Sequence, residues 1–494
     1  MEKMQTTAKK LDIFFRILQI FITVALVASM VGLAIIGAYF LFDLSPEMIG
    51  TGYGSVELGF LELEIANSYP LSRDVIILGA GAELVLGFFC LLTAVCWLLT
   101  ILYAYVYMKH EGKEPRFYAF LFLTESMVLG SALAADLVTL YLFFELTSLL
   151  SFPLVLHSQT HKALLGATKY LYYSVGGAFV ALFGMAVLAS NASLTFTAGG
   201  HLTAGDLTPT MMLAIFLMIL GFSAKAGLFP LHNWLPSAHP VAPAPAHALL
   251  SGIIAKVGAV AVIRIIYCIV GVELLQGSWL QTTFIVLALV TIFMGSFMGC
   301  TENGLKKRLA YSSISQISYV LLGVFIMTPL GLAGALLQLM VHAVAKIGVF
   351  QSAGAIIYLT ETETIDGFPA LGKRLPTTLL CFTLLSLSLV GIPPFGGFHS
   401  KWYLAIGALD AFPDAMGYVI PAVLLASALF TAYYLFAPIV QAFFPGKDHP
   451  PVQRVHEPPA MMLSLVMFSA AVLLLGLFHN GVVSTILSIA ESLM

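Results

Sequence analysis

Besides Lys169, four lysines lie inside predicted spans of this chain: Lys225, Lys256, Lys346 and Lys401. Glu145, His247 and His342 share that setting. All seven side chains can take up and release a proton. An ionisable group in hydrocarbon costs a few kcal/mol on insertion scales, so it marks an ion path by default. Chemistry of this kind moves protons from group to group and rearranges no bond between heavy atoms.

The surroundings sharpen that reading. Lys225 stands in GFSAKAGLFPLHNWLPSAHPVAP (221–243), a stretch without an acidic residue that begins as a helix and breaks at Pro230. Proline interrupts the helical ladder and frees carbonyls, which gives water and ions a polar foothold. Lys225 is too deep in its span to snorkel. A buried ammonium is disfavoured and a nearby carboxylate favours it, so a lysine whose partner comes and goes is a proton switch. Glu145, mid-span in LVTLYLFFELTSLLSF, reads as a titrating group on an ion path or as half of a structural ion pair; Asp136, nearer its span end, reads as solvated or as a participant. Lys401 follows a second break, Pro393-Pro394, in GIPPFGGFHSK (391–401). In APAHALLSGIIAKVGAVAVIR (244–264), His247 and Arg264 flank Lys256 at spacings that keep helical residues on similar faces. His247 reads as a relay or a packing residue, Arg264 as a participant or an anchor. His342 and Lys346 stand four apart in LLQLMVHAVAKIGVF (336–350), on one helix face.

Other chemistry finds no motif. GxGxxG, Walker A, HExxH and the nucleophile elbow are absent, so no catalytic residue, cofactor or metal is expected in this chain. Cys90, Cys96, Cys268, Cys300 and Cys381 are scattered without a CxxC pair, which argues against a disulfide, a zinc site or an iron–sulfur cluster. The basic run in LKKRLAYSS (305–313) reads as a topological anchor, and no nucleic-acid partner is expected.

The elements that must position these groups follow from composition. Of 494 residues, 60% are hydrophobic and 10% charged, against roughly a quarter charged in soluble domains, so most of the chain lies in a bilayer with lipid as a partner. The first apolar run is too long for a signal peptide and reads as a span. About thirteen segments are long enough to cross: 13–42, 75–108, 117–134, 138–156, 163–190, 210–231, 245–270, 279–300, 309–328, 332–359, 376–409, 417–444 and 459–488. Placing the N-terminus in the cytoplasm puts Lys109, Lys113, Arg116, Lys162, Lys306, Lys307, Arg308, Lys373, Arg374, Lys447 and Arg454 on that side and Arg73 alone opposite. That obeys the positive-inside rule and leaves the C-terminus external. Alternation in VELGFLELEI (56–65) predicts a small external hairpin. The expected organisation is N-terminal helices with the hairpin (1–116), a first repeat with Glu145, Lys225 and Lys256 (117–270), a second with His342, Lys346 and Lys401 (279–444), and a C-terminal helix (445–494). Repeats with broken helices are the pattern of secondary transporters.

The chain resembles the antiporter-like, proton-conducting subunits of the complex I superfamily: the M, N and L types of NADH:quinone oxidoreductase, the A and D types of Mrp antiporters, and the large membrane subunits of energy-converting hydrogenases and formate hydrogenlyase. The likeness spans roughly residues 73–444. It rests on FFEL around Glu145, SAKAGLFPLHNWLPSAHPVAPAP, LLSGIIAKVG, LKKRLAYSSISQISYVLLG, HAVAKIGVF and GIPPFGGFHSKWYL.

The resemblance implies an all-α polytopic membrane protein with two inverted five-helix repeats, discontinuous near Pro230 and Pro393. Glu145 and Lys225 would form a switching ion pair, Lys256 with His342 and Lys346 a central polar axis, and Lys401 the exit lysine. The family's short helix before the first span is expected to be missing, and no long lateral helix follows the last, which disfavours the L type. A lysine at 401 is less like the M type and more like the Mrp D or hydrogenase type. Implied partners are other membrane subunits, related antiporter-like ones included, plus soluble Fe–S, flavin or hydrogenase subunits if redox chemistry drives the complex, in a prokaryotic inner (plasma) membrane. Two alternatives remain at this point: a stand-alone transporter of a small solute, which needs a midplane pocket, and a quinone-binding redox subunit, which needs a quinone motif.

Overall fold

The computed structural model describes residues 54–58, 61–65, 73–446 and 452–494, with side chains from Phe89 onward. The predicted span 13–42 lies outside the described residues. Strands β1 (Gly54–Leu58) and β2 (Leu61–Ile65) pair antiparallel, as the alternation predicts.

The other elements among the described residues are helices; the short ones Val272–Leu275 and Leu371–Arg374 are left unnumbered. The helices are α1 Arg73–Glu111, α2 Glu114–Ala132, α3 Leu137–Val155, α4 His161–Ala189, α5 Pro209–Ala226, α6 Leu235–Ala238, α7 Ala244–Leu249 and α8 Lys256–Ile265. Then follow α9 Trp279–Thr301, α10 Leu305–Ile326, α11 Pro329–Thr360, α12 Pro376–Val390, α13 Gly396–Ala411, α14 Ala415–Phe443, α15 Pro459–Leu477 and α16 His479–Ser492. Among the described residues, 10 stretches are long and apolar enough to cross a membrane, and α12 is a shorter apolar helix. Two predicted single spans, 376–409 and 459–488, are each two helices, parted at 391–395 and at Phe478.

Local sequence sets the helix starts. Thr208-Pro209 and Thr328-Pro329 place a hydroxyl at the cap and proline at the first helical position; the hydroxyls accept from Met211 N and Gly331 N. Asp136, expected to be merely solvated, caps α3 by accepting from Val138 N (2.7 Å) and Thr139 N (2.9 Å).

Burial defines the centre. The most apolar stretches of residues 244–270 and of α11 are 100% buried and that of α10 94%, whereas those of α14 and α4 are 33% and 39% buried. Tyr172, Phe179, Tyr418 and Leu429 project outward from α4 and α14, where lipid or another membrane protein must cover them. Lipid is as apolar as leucine, so helix association here rests on close packing and polar satisfaction.

Candidate ion path

Both predicted breaks are present. Helix α5 ends at Gly227, whose φ of 78° is the left-handed conformation glycine adopts without cost. The chain stays non-helical to Leu235, and the indole of Trp234 donates to Ala224 O at 2.9 Å. Helix α12 ends the same way at Gly391, φ 91°. Peptides Phe229–Pro230 and Pro393–Pro394 are cis. Lys225 lies in the last turn before its break, Lys401 in the second turn after its own.

Lys225 is fully buried. Its ammonium donates to Phe144 O (2.8 Å) and Ser148 Oγ (2.9 Å) and sits 4.2 Å from the Phe144 ring centroid. Phe144 and Ser148 flank Glu145 on α3, so lysine and carboxylate lie within electrostatic reach. Among the described residues, however, they form no ion pair within 4.0 Å; Lys307–Glu302 at the surface is an ion pair of 2.6 Å. Glu145 is half-buried and its Oε1 has no partner among the described residues.

Lys256 follows a π-helical turn, Leu250–Ile254, and its ammonium donates to Ser251 O at 2.9 Å. The Ser251 hydroxyl lies 2.7 Å from that of Ser313 on α10. On α11, Gln338, His342, Lys346 and Phe350 recur every fourth residue and form one buried stripe. Lys346 donates to Leu309 O at 3.0 Å. His342 is fully buried, and neither ring nitrogen has a partner among the described residues. Lys256, Lys346 and Lys401 all lie within its electrostatic reach.

Above His342 the stripe reaches the second break through neutral groups. Gln338 donates to Gln316 Oε1 (2.8 Å) and accepts from Ser400 Oγ (2.6 Å). Gln316 donates to Leu389 O at 3.4 Å, and Lys401 donates to Leu389 O (2.6 Å) and Val390 O (2.7 Å). Lys401 thus caps the carbonyl end of α12, where the helix dipole favours a cation. At the other end, Phe350 lies 3.8 Å from the His247 ring centroid and 5.8 Å from that of His239.

His247, Lys256, His342, Lys346 and Lys401 thus gather around the α11 stripe. Glu145 and Lys225 form a separate pair on neighbouring helices, with α5 and α8 so close that a Cβ added at Gly258 would lie 3.2 Å from Lys225 Cβ. Arg264 is a buried tie, donating to Ala134 O (3.1 Å) and Ala132 O (3.2 Å) at the end of α2. Sequence reasoning passed over His239, Gln316, Gln338, Ser400 and Glu125. The last is a carboxyl on α2, 3% exposed, with Oε1 unpartnered among the described residues. The spacing of Gln338 from His342 was the available signal for one of them.

This arrangement has relatives. Residues 134–430 match the family described as NADH:quinone oxidoreductase/Mrp antiporter, transmembrane, a stretch that holds every candidate from Glu145 to Lys401. The chain belongs to that family. It is 32% identical to the N-type subunit of NADH-quinone oxidoreductase from Desulforudis audaxviator (strain MP104C), over 83% of this chain and 85% of that protein. It is 28% identical to hydrogenase-4 component B of Escherichia coli (strain K12), over 81% of this chain and 62% of that relative. It is also 29% identical to the D-type component of the Na(+)/H(+) antiporter from Alkalihalophilus pseudofirmus (strain ATCC BAA-2126 / JCM 17055 / OF4), over 84% of this chain and 83% of the relative. Its fold is that of a chain in the structure of the membrane-bound sulfane sulfur reductase, an archaeal respiratory membrane complex: TM-score 0.81 at 23% identity, covering 97% and 94% of the two chains. The resemblance drawn from FFEL, HAVAKIGVF and GIPPFGGFHSK thus holds, as does the expectation of a polytopic helical subunit.

Proposed function

We propose that this chain is a proton-translocating membrane subunit of a multisubunit complex, passing protons along Glu145, Lys225, Lys256, His342, Lys346 and Lys401, with His247 on the same interior. The observation that carries the proposal is the company the buried amines keep. Lys225, Lys256 and Lys346 are fully buried, and each is held by backbone carbonyl oxygens in place of a carboxylate. An ammonium so placed has no counter-charge in contact, so the approach or withdrawal of a carboxylate changes how well it is compensated.

Closure of Glu145 onto Lys225 would load the lysine, and opening, the arrangement described above, would send its proton toward Lys256 and the α11 stripe. The work of opening would come from partner subunits, through redox chemistry or an opposing ion gradient. Residues 117–270 and 279–444 would act as two related halves, each with one broken helix. Following the distribution of Lys and Arg, the N-terminus would face the cytoplasm and the C-terminus the exterior.

Exchange of Na⁺ for H⁺ is the second reading, favoured by the likeness to a component of a Na(+)/H(+) antiporter. The test is ion transport by the assembled complex in vesicles, with Glu145→Ala and Lys225→Ala. Both variants should lose pumping, and undiminished transport would sink the proposal; dependence of the wild-type rate on Na⁺ identifies the coupled ion.

A further inference from the structure

A second polar seam runs beside the ion path and shares none of its charged groups. On α10, Arg308, Ser312, Ser315 and Tyr319 fall at intervals of four, three and four, on one face. On α14, Leu424, Ser427, Thr431 and Tyr434 fall at three, four and three and meet that face. At one end Arg308 donates to Tyr434 O at 2.9 Å; at the other the Tyr319 hydroxyl donates to Leu424 O at 3.2 Å. The seam covers about eleven residues of rise, roughly 16 Å. Its serines, threonine and tyrosines are all 0% exposed.

At its middle, three hydroxyls from three helices form a triangle. Ser296 Oγ on α9 lies 2.7 Å from Ser315 Oγ and 2.5 Å from Ser427 Oγ, and the last two are 3.2 Å apart. Buried hydroxyls elsewhere, such as Thr93, Thr100, Ser352 and Ser469, donate to their own helix's carbonyl one turn back. Ser296, Ser315 and Ser427 instead spend their protons on one another. Each hydroxyl can donate and accept, so a proton entering the triangle can leave from another corner after the hydroxyls rotate. Tyr434 donates to Thr431 Oγ1 at 3.4 Å on the Arg308 side, where the Ser312 hydroxyl lies beside the Tyr434 phenol. On the far side, Lys401 Nζ lies 5.3 Å from the Tyr319 ring centroid.

We propose that this seam is a second proton branch, built from hydroxyls, that reloads Lys401 from the Arg308 end, while discharge of Lys401 still depends on the lysine relay through Lys256 and Lys346. It rests on Lys401 being a station of the proposed path. Two routes then converge on one lysine: the Gln316–Gln338–Ser400 amides and hydroxyl on one side, and the Ser296–Ser315–Ser427 triangle on the other.

The test uses the assembled complex in sealed vesicles, with lumen acidification normalised to intact complex. Ser427→Ala and Ser315→Ala should each slow acidification by about fivefold or more, the factor that one net hydrogen bond is worth. Ser427→Thr, which keeps the hydroxyl, should stay near wild type. Wild-type rates per intact complex in both alanine variants would overturn the branch and leave the triangle as helix-to-helix adhesion. So would a threonine variant as slow as the alanine one. Lys225→Ala is measured alongside: full pumping there overturns the main path reading, whereas lost pumping beside normal serine variants overturns the branch alone.

Discussion

Replacing Lys225 by Met separates what the lysine does from what it costs. Its ammonium is fully buried, makes two hydrogen bonds and rests on the Phe144 ring. Hydrogen bonds from a charged donor contribute about 1.5–3 kcal/mol each, so methionine forfeits about 3–6 kcal/mol. Against this, desolvating an ammonium without a paired carboxylate costs several kcal/mol even after relaxation, and methionine escapes that cost. No acceptor is orphaned, because Ser148 Oγ already donates to Phe144 O at 3.3 Å. The balance is near zero or stabilising by about 1–4 kcal/mol, as when other buried charges are replaced by apolar residues of like volume. Thermal unfolding of the assembled complex should therefore show an unchanged or raised midpoint, while vesicles carrying it form no pH gradient. A midpoint lowered by more than about 5 °C would refute the reasoning, since it would make Lys225 a structural tie. So would a normal gradient.

Other sites carry narrower predictions. Arg264→Ala strands Ala132 O and Ala134 O and should destabilise the protein by about 3 kcal/mol or more in thermal or denaturant melts, with Arg264→Lys recovering part of it. At Gly391 an added Cβ would lie 2.9 Å from Lys401 Cδ and the residue would keep a φ of 91°; Gly391→Ala should cost about 1–2 kcal/mol and slow transport by displacing the lysine. Glu302, in the loop after α9, is pushed up by burial, but hydrogen bonds from Lys307 and from the amides of Gly304 and Asn303 outweigh this and hold its carboxyl below the ordinary value. A depressed carboxylate adds stability above the unfolded value of about 4.3, and that stability is lost as pH falls through the folded value. Hydrogen exchange at residues 303–305 should speed up below about pH 4.3, and should become pH-independent there, after allowing for intrinsic exchange, in Glu302→Gln.

What could be read from the sequence was what stands out against hydrocarbon. A lysine or glutamate in an apolar run is conspicuous, so Glu145, Lys225, Lys256, Lys346 and Lys401 were legible one by one, and Pro230 and Pro393 announced the breaks. The neutral connectors were not, because Ser and Gln are ordinary in membrane helices and carry no signal alone. Gln338 became meaningful only once α11 placed it four residues from His342 and α10 brought Gln316 to it. The π-helical turn before Lys256 has no proline to mark it. The bend at Phe478 had only the polar run His479-Asn480-Gly481 as a hint inside an apolar segment. Sequence also could not tell that Lys225 rests on Phe144 O and Ser148 in place of Glu145, since a side chain's choice between a carbonyl one residue away and a carboxylate is decided by packing.

The central claim is that protons cross through the amines of the buried stripe. The most direct measurement is lumen acidification by vesicles holding the assembled complex with Lys346→Met, compared with wild type at equal complex content. The account predicts an intact complex that builds no pH gradient, because Lys346 lies within electrostatic reach of both Lys256 and His342 and has only Leu309 O among the described residues as its hydrogen-bond acceptor. A gradient of wild-type size and rate would contradict it.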